Sequence, residues 1–101
     1  MHAKVKVRNR MGLHNDVAKM FIMLSTKFKC EIWVEDVYGH RVNAKSLLGV
    51  VILDIRCGNE IKIITYGSNE DLALETLLNF IDWGCTLESY NELTERIQKK
   101  L

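Results

Sequence analysis

The sequence predicts an α+β fold of two layers, in which helices cover one face of a four-stranded antiparallel sheet. Segments in which apolar and polar residues alternate are typical of strands with one wet face. Between them lie segments whose apolar residues fall at helical spacing, which is typical of helices with one apolar side. One-sided strands and one-sided helices bury their apolar surfaces against each other, and this packing produces two layers.

The first half of the chain shows the pattern strand, helix, hairpin. Val5 and Val7 lie on one face of an alternating run whose other positions are basic. An apolar stripe at helical spacing follows, and a turn around Gly39 then separates two further strand-like runs. The predicted elements are a strand at 3–8, a helix from Asp16 to about Lys27, and strands at 31–37 and 41–43.

The second half adds two helices with a strand between them. Ser46 is a good N-cap for a short helix, and Gly84 is a good C-terminal stop for a longer one that opens at Ser68. The strand between them alternates apolar and polar positions after a turn at Gly58. The predicted elements are a helix at 46–53, a strand at 60–66 and a helix at 68–84.

A fourth, amphipathic helix is predicted beyond Gly84. Ser89 and Glu92 have the spacing of a capping box. Four apolar residues fall on one helical face, and they are Tyr90, Leu93, Ile97 and Leu101. We therefore divide the chain into a domain at 1–84 and a helical tail at 85–101, and the tail either packs back on the domain or meets a partner.

Composition excludes several classes of function. The chain has 101 residues, 48% of them hydrophobic, which suits one small globular domain with a single core. Its 14 basic and 13 acidic side chains leave a formal charge of +1, so an electrostatic binder of nucleic acid or of an anionic membrane is not expected. No glycine-rich phosphate loop, carboxylate pair or Ser-His-Asp arrangement is visible, so neither an independent enzyme nor a cofactor site is expected.

The cysteines and the chain start indicate a cytoplasmic protein. Cys30, Cys57 and Cys85 are odd in number and widely spaced, which is typical of reduced, idle thiols. They share no ligand spacing with the histidines, so no metal site is expected. The charged N-terminus lacks a signal peptide, and the longest apolar run, 47–53, is too short to span a bilayer.

His14 is the candidate chemical group. It follows Gly12-Leu13 and directly precedes the first predicted helix, where Asn15 and Asp16 are good capping residues. Unpaired backbone N–H groups at a helix start favour anions, including a phosphoryl group carried on the imidazole itself. Neutral imidazole is also a competent nucleophile near pH 7.

Two motifs at a fixed separation carry a resemblance to a known family. They are Gly12-Leu13-His14 and the run Asn43-Ala44-Lys45-Ser46-Leu47-Leu48-Gly49, with Gly58 before the last strand and Gly67 before the last long helix of the domain. Over about residues 1–84 the chain resembles the histidine-containing phosphocarrier protein (HPr) family of the bacterial sugar phosphotransferase system. The resemblance implies an open-faced β-sandwich of four antiparallel strands with three helices on one side.

The resemblance also implies a function for His14. The imidazole would accept a phosphoryl group from the phosphoenolpyruvate-dependent Enzyme I and pass it to a sugar-specific Enzyme IIA. The helix-opening residues Asn15, Asp16 and Val17 would support the phosphoryl oxygens. Ser46 would match the position that a dedicated HPr kinase phosphorylates for regulation, and Leu47, Leu48 and Val51 would form an apolar patch similar to the family's docking surface.

One departure from the family pattern bears on the charge at this site. The family continues after its histidine with Ala, Arg and Pro, where this chain has Asn15, Asp16 and Val17. Replacing a cation by Asp16 removes about 2 to 3 kcal/mol of attraction for a phosphoryl group at about 6 Å in water, before salt screening. Asp16 has a second role open to it, which is to hydrogen-bond the imidazole and fix its tautomer.

Two hypotheses about function follow. In the first, the protein is a phosphocarrier that still takes a phosphoryl group on His14. In the second, it is a regulatory binding module on the same fold, similar to the HPr-like catabolite-repression proteins that lack carrier activity. The second hypothesis depends on Asp16 replacing the arginine, and it assigns partner contact to Leu47 and Leu48.

Overall fold

A computed structural model describes all residues of the chain, 1–101, as four strands and four helices in two layers. The strands and helices follow one another along the chain in the predicted order. The strands are β1 (His2–Lys6), β2 (Glu31–Glu35), β3 (Arg41–Asn43) and β4 (Glu60–Tyr66). The helices are α1 (Asn15–Thr26), α2 (Leu47–Ile52), α3 (Glu70–Asp82) and α4 (Leu87–Lys100).

The four strands form one antiparallel sheet in the order β1-β4-β2-β3. The register places Ile63 of β4 between Ala3 of β1 and Val34 of β2, so apolar residues line up across the sheet. Side chains on this face are covered by the helices, whereas the alternate positions are at least partly exposed. The predicted α+β fold, with helices on one face of a four-stranded sheet, is therefore confirmed.

One continuous hydrophobic core lies between the layers. Phe21 of α1 and Phe80 of α3 are the largest side chains in it that are fully buried. Ile61 and Ile63 of β4 supply the sheet side of the same core. Burial of apolar surface at about 25 cal/mol per Å² is the main favourable contribution to folding in such a domain.

Two predicted element ends differ from the structure. β1 ends at Lys6 rather than at residue 8, although the Val7 N–H still donates to the Asn59 carbonyl oxygen at 2.8 Å. β2 ends at Glu35 rather than at residue 37, because Asp36 starts the hairpin turn. The Asp36 carboxylate accepts the backbone N–H groups of Tyr38 and His40 at 3.0 and 2.9 Å, and these bonds replace the sheet pairing.

The predicted start of α3, at Ser68, also differs from the structure. Asn69, not Ser68, is the N-cap, and its left-handed backbone (φ 57°) is one that asparagine tolerates. The Glu70 carboxylate accepts the Gly67 N–H at 3.2 Å and pairs with the N-terminal amine at 3.0 Å. These two contacts move the helix start past Ser68.

Helix α4 begins earlier than the predicted capping box. Its N-cap is Thr86, whose hydroxyl oxygen accepts the Ser89 N–H at 3.0 Å, so Ser89 lies inside the first turn. The helix packs back on α1 and α3. Leu93 and Ile97 are buried in the common core, whereas Leu101, which we placed on the same face, is exposed. Of the two alternatives for the tail, the structure shows packing within the chain.

The arginine of α4 adds a contact to this packing. The guanidinium of Arg96 lies 5.5 Å from the ring centre of Trp83, which directly follows α3. The Tyr90 side chain is half-buried against the same core. These contacts join the C-terminal helix to the end of α3.

Two further features concern the cysteines and the length of the helices. All three cysteines are free, with Cys30 and Cys85 buried and Cys57 exposed. Burial raises the pKa of the Cys85 thiol to about 12, which makes it a poor nucleophile. No helix has both the length and the apolar character needed to cross a membrane.

The loop before α1 is fixed to the loop after α2 by the segment Gly12-Leu13. The Leu13 side chain is completely buried, and its N–H donates to the Ile55 carbonyl oxygen at 2.9 Å. Gly12 has φ +64° and lies so close to the loop after α2 that a Cβ would overlap the Ile55 carbonyl oxygen and approach Cα of Arg56 to 2.9 Å. Only glycine fits, and the fit sets residue 14 beside residues 54–56.

Gly12→Ala tests this junction between the two loops. A left-handed alanine alone costs about 1 to 2 kcal/mol, and the overlap with Ile55 adds strain. Gly39→Ala is the matched control, because Gly39 also has positive φ (+86°) but nothing lies within 4 Å of its added Cβ. In urea unfolding, we expect Gly12→Ala to lose at least about 1 kcal/mol more than Gly39→Ala. Equal losses would show that the close approach is unimportant.

Leu93→Ala tests the docking of α4. Removing a buried leucine side chain costs about 2 to 5 kcal/mol in unfolding free energy. The control is Leu87→Ala on the same helix, where the side chain is 64% exposed and the expected change is within about 0.5 kcal/mol. If both variants have the same urea midpoint of unfolding as the wild type, α4 does not pack on the domain in solution.

Candidate functional site

His14 is the N-cap residue of α1. Its backbone is extended (φ −130°, ψ 162°), and its carbonyl oxygen accepts the first helical bond, from the Ala18 N–H at 3.2 Å. The side chain is 28% exposed, so the imidazole is neither buried in the core nor free in solvent. It makes no hydrogen bond to the helix start. The ring is therefore partly accessible from solvent.

The helix start offers unpaired donors beside this ring. The N–H groups of Asn15, Asp16 and Val17 have no acceptor within the chain, because the acceptors of a helical ladder would lie before its first residue. Such groups, together with the helix dipole, favour an anion at this end of the helix. That residues 15–17 support a phosphoryl group stays a prediction, and these three N–H groups are the donors on which it depends.

The side chains of these residues differ in what they contact. Val17 is buried in the core, so only its backbone is available to a ligand. Asn15 and Asp16 are exposed. Asn15 has a left-handed backbone (φ 50°), which asparagine tolerates and a β-branched residue does not. The sequence thus suits a sharp entry into α1 at this point.

The carboxylate that contacts the imidazole is Asp54, not Asp16. Oδ1 of Asp54 lies 3.1 Å from Nε2 of His14, which is within hydrogen-bond distance. Asp16 makes no such contact, so the hydrogen bond considered for it from the sequence is wrong. The reason is geometric, since Asp16 lies on the exposed side of α1 and the loop at Ile55 presents Asp54 to the ring.

Arg56 holds the other oxygen of this carboxylate. Its Nε and Nη2 atoms lie 3.1 and 2.9 Å from Oδ2 of Asp54. The Arg56 guanidinium holds the pKa of the Asp54 carboxyl below its usual range, and His14 acts in the same direction. Asp54 is therefore ionised at neutral pH, and an ionised carboxylate only accepts hydrogen bonds.

The second motif, residues 43–49, fixes the start of α2 through hydrogen bonds. The Ser46 hydroxyl oxygen accepts the Gly49 N–H at 3.1 Å, which confirms Ser46 as the N-cap of α2. Oδ1 of Asn43 accepts the Lys45 N–H at 2.8 Å, and the Lys45 ammonium donates to the Cys30 carbonyl oxygen at 2.7 Å. These bonds fix the entry into α2.

Helix α2 presents an apolar surface to solvent. Leu47, Leu48 and Val51 are 41%, 70% and 38% exposed, and Ile52, which the sequence reading omitted, is 68% exposed. Only Val50 of this helix is buried. The helix ends two residues before Asp54 and packs against α1, so this patch and His14 belong to the same region of the molecule.

Asp54 and Arg56 are the site residues that sequence reasoning missed. They lie about forty positions after His14 in a short loop without any motif of its own. Local patterns contain no signal for this contact, because it depends on how Gly12-Leu13 packs against Ile55. The only local feature is that Asp54 and Arg56 stand two residues apart just after α2.

Comparisons with known proteins agree with this architecture. A family model described as the PTS HPr component phosphorylation site matches residues 1–82. The chain is 38% identical over 79 residues to HPr-like protein Crh of Halalkalibacterium halodurans, covering 78% of this chain and 93% of that protein. It is 32% identical over 78 residues to phosphocarrier protein HPr of Neisseria meningitidis serogroup A, covering 77% and 86%.

A solved structure shows the same similarity in three dimensions. HPr-C-His from Thermoanaerobacter tengcongensis superposes with a TM-score of 0.81 at 32% identity, covering 84% of this chain and 94% of that one. The family match ends at residue 82, so all of α4 lies outside it. The resemblance stated from the two motifs is confirmed, and the chain belongs to the HPr family of phosphocarrier and HPr-like proteins.

Proposed function

We propose that the protein is a phosphocarrier of the phosphoenolpyruvate-dependent sugar phosphotransferase system, with His14 as the residue that carries the phosphoryl group. The observation that carries this proposal is the placement of a partly exposed imidazole at the N-cap of α1, beside three unpaired backbone N–H groups. A nucleophile and an oxyanion-binding group are thereby adjacent. Membership of the HPr family supports the same role.

The acceptor atom is Nδ1 of His14. Because Nε2 faces the ionised Asp54 carboxylate at 3.1 Å, Nε2 carries the hydrogen of the neutral ring. Nδ1 then holds the lone pair. In phosphoryl transfer this lone pair forms the N–P bond as the bond between phosphorus and the donor breaks, and the ring keeps its Nε2 hydrogen.

Transfer onward is the reverse of this step. A nucleophilic group of the acceptor protein forms a bond to phosphorus, the Nδ1–P bond breaks, and the electron pair returns to Nδ1. The donor is an Enzyme I-like protein and the acceptor an Enzyme IIA-like protein. The apolar patch of Leu47, Leu48, Val51 and Ile52 is the surface on which such partners would dock, since exposed apolar patches of this kind mark protein contacts.

Asp16 opposes this function without preventing it. Its exposed carboxylate sits in the first turn, where a phosphoryl group of about −1.5 to −2 charge would bind, and repulsion in water at about 6 Å is on the order of 1 kcal/mol. Three backbone donors can offset a cost of this size. Asp54 adds little net charge, because Arg56 neutralises it.

A regulatory binding module is the second candidate function. Asp16 favours it, because a carboxylate at the helix start weakens phosphoryl binding. The higher identity to a relative named HPr-like than to the named phosphocarrier also favours it. In this case the apolar patch of α2 contacts a partner and His14 takes no phosphoryl group. HPr kinase action on Ser46 stays a prediction, and it applies to either function.

Phosphorylation by Enzyme I separates the two functions. Incubation with Enzyme I and labelled phosphoenolpyruvate is expected to give an acid-labile phosphoryl group that is absent from His14→Ala. His40→Ala is the matched control and is expected to label like the wild type, because His40 is exposed on the hairpin turn and pairs with Asp36. Failure of the wild type to label with any donor would leave the binding module as the function.

Asp16→Arg tests the charge argument. Reversing this charge changes the interaction with the phosphoryl group by about 2 to 3 kcal/mol before screening, so roughly a tenfold gain in labelling rate is expected at physiological salt. Asp71→Arg is the control, since Asp71 is an exposed residue in the first turn of α3. A gain that is equal in both variants, or absent from Asp16→Arg, would contradict an electrostatic role for residue 16.

A further inference from the structure

Asp54 occupies an unusual backbone conformation beside the imidazole. It has φ 52° in the loop after α2, a conformation that aspartate and asparagine tolerate better than other residues with a Cβ. The side chain is exposed, so burial does not explain why a carboxylate lies there. Its two oxygens contact different partners, namely His14 through Oδ1 and Arg56 through Oδ2.

Because each carboxylate oxygen of Asp54 contacts a different residue, His14 and Arg56 have distinct roles. Nε and Nη2 of Arg56 both approach Oδ2, which leaves Oδ1 to the ring. Arg56 restricts the orientation of the carboxylate, and the ionised carboxylate requires a hydrogen on Nε2. A carboxylate that orients a histidine in this way holds one tautomer and stabilises positive charge on the ring.

We propose that Asp54 is a positioning residue for His14 and that Arg56 holds Asp54 in place, so that the ring presents an unprotonated Nδ1 towards the helix start. This inference rests on the proposed carrier function and adds two residues to it. When Nδ1 bonds to phosphorus, the ring becomes more positive, and the adjacent carboxylate stabilises that charge while Nε2 keeps its hydrogen. Neither direction of transfer then requires a proton to leave the protein.

Asp54→Gly is the decisive variant. Glycine adopts φ 52° without cost, so the loop is preserved while the carboxylate is removed. With ¹⁵N-labelled histidine in mildly alkaline buffer, NMR is expected to show wild-type His14 with its hydrogen on Nε2 and Asp54→Gly with a mixture of tautomers. The saturated rate of phosphoryl uptake is expected to fall about tenfold or more, with the KM for the donor protein little changed.

Arg56→Gln tests the second half of the proposal. Titration of the Asp54 side-chain carboxyl carbon is expected to shift to higher pH in Arg56→Gln, because the cation that lowers its pKa is gone. Arg96→Gln is the control, since Arg96 pairs with Glu92 on α4 and does not contact the site. An Asp54 titration that is identical in Arg56→Gln and the wild type would overturn the role of Arg56.

The two readouts separate this proposal from the proposed function. An unchanged tautomer and an unchanged uptake rate in Asp54→Gly would overturn the positioning role. If the wild type takes no label, the carrier function fails, and the tautomer measurement alone then decides whether Asp54 positions the ring. Urea unfolding of Asp54→Gly is expected to match the wild type within about 0.5 kcal/mol, so a lost rate cannot come from lost folding.

Discussion

The close approach of Gly12 to the backbone of Ile55 is the constraint on which the site depends. It joins the loop before α1 to the loop after α2, and the Leu13 N–H bond to Ile55 at 2.9 Å fixes their register. The imidazole lies at the helix start, whereas Asp54 comes from a segment about forty positions later in the sequence. Without this contact, the ring of His14 would lose Asp54 as its neighbour.

The charge around the ring is arranged in two parts. On the Nε2 side, the Asp54 carboxylate is balanced by Arg56. On the helix side, the dipole and the backbone donors face an exposed carboxylate at Asp16. Screening weakens exposed charges and affects backbone donors less, which supports the anion binding that we propose at the helix start.

The sequence predicted most of the fold, because apolar periodicity follows directly from two layers. β3 and β4 have the predicted bounds, and the N-cap of α2 is Ser46 as expected. Element ends were less predictable where a side chain redirects the backbone, as Asp36 does at the end of β2. Thr86 had the same effect at α4, where a second capping pattern three residues later was misleading.

The candidate site was predictable only in part, for a different reason. His14 and the helix start are neighbours in sequence, so the local pattern was sufficient to place them together. Asp54 reaches the ring only through long-range packing, and no periodicity or spacing reports such a contact. The packing partners of the tail residues Leu93 and Ile97 were unpredictable for the same reason. An apolar stripe predicts a buried face without identifying what covers it.

The most direct measurement is a ¹H–¹⁵N NMR spectrum of the backbone amides before and after phosphorylation of the intact protein. If the start of α1 holds the phosphoryl group, the largest downfield shifts belong to the amides of Asn15, Asp16 and Val17, and those of α4 stay unchanged. Amide shifts confined to other segments, or no shift at residues 15–17 in a protein that carries phosphate on His14, would contradict the account.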